Sequence, residues 1–164
     1  MAKPTKYATP ICLVLTFAAA VGSIIGYINA LPLAIIIMLL PTVIYEIYRT
    51  EGESTKISSW LMLFVLIAEA IFVKFKIGFD LGQYLGLSET YIAGSYVPLG
   101  DIKVLAPTLM AVLSAVLFVR TAGVYTKWLA VVIFIVSFVL VYVIAPTAFS
   151  DLIKAAVTQA FYHF

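Results

Sequence analysis

Among the side chains able to do chemistry, Glu69 stands apart, because it interrupts the otherwise apolar run 57–76. It lies five residues before Lys74, so at about 1.5 Å per helical residue it sits roughly 7–8 Å below the boundary that Lys74 marks. A carboxyl in hydrocarbon is costly as an anion, and such acids face the interior of a helical bundle. As the neutral acid it can donate a hydrogen bond, so it calls for a buried partner. Matching depths on antiparallel helices points to Ser23 and Thr108 as that company, with Tyr27 and Tyr142 slightly nearer the surface. An intramembrane polar cluster of these residues is the expectation.

Little else offers chemistry. The one histidine, His163, cannot assemble a metal site alone, and the one cysteine, Cys12, allows neither an intrachain disulfide nor a cysteine cluster. No phosphate-binding glycine loop, Ser/His/Asp set or His-Glu-x-x-His motif occurs. No enzyme activity, metal or cofactor is expected, since catalysis needs convergent polar groups that this chain lacks. A net charge of +2 without a basic block gives no footing for nucleic acid.

The elements that must hold Glu69 follow from composition. Of the 164 residues, 64% are hydrophobic and 11% charged, too few polar residues to clothe a water-soluble fold. The apolar runs match the roughly 17–25 residues that cross a bilayer. They predict an all-α integral membrane protein, a single transmembrane domain over 1–164, with five spans at 10–28, 31–48, 57–75, 102–119 and 128–145. Lys3 and Lys6 ahead of 11–28 resemble a signal peptide, but the run is longer than a typical signal core, and it is read as the first span.

Local signals refine the spans. Thr9 and Pro10 suit the start of the first helix, and Asn29 with Pro32 a tight hairpin into the second. Pro41 interrupts the second helix and Pro107 stands near the start of the fourth. Residues 49–56 read as a solvated loop, with Glu46 and Arg49 as a weak ion pair at headgroup level. Trp60 and Trp128 mark interfaces, as do Tyr84, Tyr91 and Tyr96 in the long 77–101 connection. Within that connection, short interfacial helices are expected at 81–87 and 88–93. The fifth span, almost wholly aliphatic, is expected to face lipid.

Two faces are built of small residues: Ala18, Gly22 and Gly26 on the first helix, and Ala111 and Ala115, following Thr108, on the fourth. Small faces allow close helix approach in lipid, within one chain or between chains. Residues 148–163 carry apolar side chains at three- and four-residue steps, predicting an amphipathic tail helix in the interface plane or docked on a partner. Six Lys and Arg on the N-terminal side against four on the other favour a cytoplasmic N-terminus and an outside C-terminus. The expected function is a structural or accessory subunit of a membrane assembly, meeting a protein partner or a second copy through its small faces or tail. The alternative is a small transporter or channel that uses Glu69, Ser23 and Thr108.

Overall fold

A computed structural model of the chain describes residues 6–77, 90–92, 95–97, 102–146 and 149–150. Five helices form a bundle: α1 (Ala8–Ile28), α2 (Pro32–Arg49), α3 (Glu53–Lys74), α4 (Ile102–Arg120) and α5 (Val124–Ile144). By length and composition all five could cross a membrane. Between α3 and α4, strands β1 (Thr90–Ile92) and β2 (Ser95–Val97) pair antiparallel, with Tyr91 opposite Tyr96. The interfacial helix expected over 88–93 is therefore absent. Its alternation of Thr90, Tyr91 and Ile92 suits a strand, where β-branched and aromatic residues fit the pleat. The helix expected over 81–87, Tyr84 included, lies outside the described residues. So does the tail helix beyond 150, of which only Phe149 and Ser150, both helical, are described.

Short connections make sequential helices antiparallel neighbours. The α1–α2 turn closes as expected: Asn29 caps α1, its amide side chain donating to the Ile25 carbonyl at 2.9 Å, and Pro32 opens α2. The start of α1 differs. Tyr7, not Thr9, is the cap residue, and the Thr9 hydroxyl instead bonds the Tyr125 hydroxyl of α5 at 3.0 Å. Both Pro41 and Pro107 lie inside continuous helices.

The helices close in a ring, α1 against α2, α2 against α3, α3 against α4, α4 against α5 and α5 against α1, with α2 and α5 also meeting across it. α5 is the most buried of the five, with Leu129, Ala130, Ile133, Ser137 and Leu140 in the core, while Val131, Phe134, Ile135 and Phe138 form an exposed outer face. Uniform apolarity fits lipid and bundle interior equally, so it cannot tell the two apart.

Along α1, Gly22 and Gly26 meet α2 so closely that an added Cβ would overlap the Met38 Cβ and the Ile35 Cγ1. Ala19 is buried beside them and Ala18 half-buried. This small face is filled from within the chain.

Candidate functional site

Glu69 is fully buried in α3, and among the described residues neither carboxyl oxygen has a hydrogen-bond partner. The company expected for it bonds elsewhere. Ser23 donates to the Ala19 carbonyl at 2.8 Å and Thr108 to the Val104 carbonyl at 2.7 Å, each within its own helix. For Ser23 the packing explains this: α1 lies against α2 and α5, whereas α3 lies against α2 and α4; Thr108 stands on α4, which does pack on α3, and spends its hydroxyl proton on its own helix. Depth matching fixes height along the bundle and leaves the choice of neighbour open. Tyr27 and Tyr142 do come together, their rings stacked with centroids 5.7 Å apart where α1 and α5 end.

A second buried acid emerges at the opposite end. Glu46, one turn from the end of α2, is fully buried rather than paired at headgroup level. Its Oε1 accepts a hydrogen bond from the Thr50 hydroxyl, which also lies 2.9 Å from the Glu46 carbonyl. Ser59 of α3 donates to Thr50 Oγ1 at 3.3 Å. The remaining oxygen of Glu46 and the hydroxyl of Thr42, one turn away on the same face of α2, are buried without partners.

This polar knot corrects the reading of 49–56 as a solvated loop. Gly52 takes φ +106°, a conformation side chains resist, and α3 begins at once at Glu53. Thr50, Thr55 and Ser59 are thereby drawn into the interior. Around them the same end of the bundle is tied by polar contacts: Arg49 lies over the Tyr125 ring at 5.0 Å, and Trp128 donates to Thr16 Oγ1 at 3.0 Å. Trp128 is thus a half-buried link between α5 and α1, while Trp60 is exposed.

The two carboxyls are separated by apolar packing. Glu69 stands ten residues beyond Ser59 on α3, about 15 Å along the axis, and Met62, Val65 and Leu66 are buried between them. No signal in the sequence marked this cluster: Glu46, Thr50, Thr55 and Ser59 read as a helix end and a polar loop. Their burial follows from the turn at Gly52.

No family model matches the chain, and no curated protein or solved structure matches it. Function must be read from the chain itself.

The small face of α4 is used differently from that of α1. Thr108, Ala111 and Ala115 line an open groove of about 510 Å³ whose other wall is Phe134 and Phe138 of α5. Ala111 is buried at its floor, while Ala115 and Val112 are exposed. A smaller hollow of about 370 Å³ lies between Tyr27, Tyr142 and Phe149, where the ring of Phe149 meets that of Tyr142 edge-on at 5.3 Å. Neither acid lines either hollow. Among the described residues no group of three or more His, Cys, Asp or Glu could hold a metal.

Proposed function

We propose that this chain is a non-enzymatic, multi-pass membrane protein that serves as a structural or accessory subunit of a membrane assembly, docking a partner's helix through α4 and α5. The observation that carries this reading is the open groove floored by Ala111 and Ala115. Small residues let helix backbones approach in lipid, and there dispersion and close packing hold helices together. The first such stripe, at Gly22 and Gly26, is already filled by α2, whereas the second has exposed positions left over. A photo-crosslinking side chain at Ala115, in the native membrane, should capture a second polypeptide. Capture of lipid alone would contradict the reading.

A second reading, a small transporter or channel for protons, is favoured by one observation, the two buried acids Glu46 and Glu69 on neighbouring helices. Intramembrane acids mark proton and ion pathways. In that case Glu69→Gln abolishes flux in reconstituted vesicles and leaves assembly intact. Under the subunit reading neither quantity moves.

A further inference from the structure

The Thr50 hydroxyl has two acceptors, and they suit different states of Glu46. Thr50 Oγ1 meets Glu46 Oε1 and also lies 2.9 Å from the backbone carbonyl of Glu46. A hydroxyl has one proton and two lone pairs. When Glu46 is ionised, Thr50 turns its proton to Oε1. When Glu46 is neutral, Thr50 turns that proton to the backbone carbonyl and accepts the carboxyl proton instead. Ser59 also has two acceptors, Thr50 Oγ1 at 3.3 Å and the Thr55 carbonyl at 3.0 Å. The hydroxyls of Thr50 and Ser59 are thus partnered in either state. Glu69 has no such device, since both its oxygens are unpartnered.

Position supplies the second half of the case. Thr50 closes α2 and is 3% exposed, but the next two residues, Glu51 and Gly52, are exposed. A short turn, shaped by the positive φ of Gly52, lies between the hydroxyl and water. On the deeper side, Met62, Val65 and Leu66 form an apolar layer. The short way from the carboxyl to water is therefore at the α2–α3 turn.

We propose that Glu46 is a reversible proton-binding site, loaded from water at the α2–α3 turn through the Thr50 hydroxyl. A proton from hydronium joins a lone pair of Thr50 Oγ1. The original O–H bond of Thr50 then breaks as the O–H bond at Glu46 Oε1 forms, so one proton passes from water to carboxylate and Thr50 is regenerated. Ser59 acts as a positioning residue by donating into Thr50 Oγ1. A metal cation fits the same atoms poorly: hard cations hold each oxygen at about 2.0–2.6 Å, which would drive apart two oxygens already in direct hydrogen-bond contact.

The titratable and charged groups around the site leave the carboxyl as the group that exchanges. On α1, Cys12 is buried; on α2, Arg49 lies over the ring of Tyr125, which α5 contributes. On α3, Glu53 and Lys56 are exposed, and on α5 Lys127 lies over the Phe118 ring. This site lies away from the α4–α5 groove, so its test and that of the subunit reading can fail separately.

The test is infrared difference spectroscopy on the whole chain in lipid vesicles, following the carbonyl stretch of protonated carboxyls after transfer to heavy water. The expected result is a band, assigned by its loss in Glu46→Gln, that titrates with bulk pH and shifts at least ten-fold faster than the band assigned to Glu69. Thr50→Val should slow the shift of the Glu46 band at least ten-fold, and Thr50→Ser should restore it. Should Glu46→Gln fail to fold, the contrast between Thr50→Val and Thr50→Ser decides alone. A Glu46 band as slow as that of Glu69, no titrating band, or exchange indifferent to Thr50→Val would each overturn the proposal.

Discussion

At Glu69 the absence of a partner makes a testable statement about stability. Leaving a buried polar group without a hydrogen bond costs about 1–3 kcal/mol, and replacing it with an apolar group of similar size removes that cost. Because both oxygens of Glu69 are unpartnered, Glu69→Leu should raise the resistance of the purified protein to thermal unfolding by an amount of that order. A drop instead would mean that the carboxyl has a partner. Glu69 was legible in the sequence because an acid inside an apolar run has no other reading. Its surroundings were not, since a helical Ser or Thr can satisfy its hydroxyl on the preceding turn of its own helix, as the expected partners Ser23 and Thr108 do. Glu46 stayed hidden for a different reason. It stands three residues from Arg49 at the end of an apolar segment, where an exposed ion pair and a buried carboxyl have the same local sequence.

Whole helices were easier to read than their faces. Each span expected from composition matches a helix to within four residues at either end, because bilayer thickness and helical rise fix the length of an apolar run. Which side faces which neighbour depends on packing, and so the uniform apolarity of α5 did not reveal that one of its faces is buried against α1, α2 and α4 while the other is exposed. The two small-residue faces also look alike in sequence and part ways in the fold, giving opposite predictions. Gly26→Leu and Gly22→Leu force side chains into Ile35 and Met38 of α2, and overpacking of that kind costs about 1–3 kcal/mol or more. Ala115→Leu projects from an exposed position and should change stability by no more than about 0.5 kcal/mol. Chemical unfolding of the three variants in one detergent compares them directly. At the α2–α3 turn, Gly52→Ala places a side chain at φ +106° and should cost about 1–3 kcal/mol, loosening the cover over Thr50.

For the molecule as a whole, five crossings would put the start of α1 and the end of α5 on opposite sides of a bilayer. The Lys and Arg balance argues that the end carrying Glu46, Arg49 and Lys127 faces the cytoplasm, and reporter fusions at the two termini should give opposite signals, with the N-terminal one inside. On that orientation the proton site proposed at Glu46 would sample cytoplasmic pH. The subunit reading is tested most directly by the mass and composition of the complex extracted gently from the native membrane, for the wild type and for Ala115→Leu. The wild type should be recovered with at least one other polypeptide, and Ala115→Leu, though folded, without it. Recovery of the wild type alone, as a single chain or a homo-oligomer, would overturn the subunit reading.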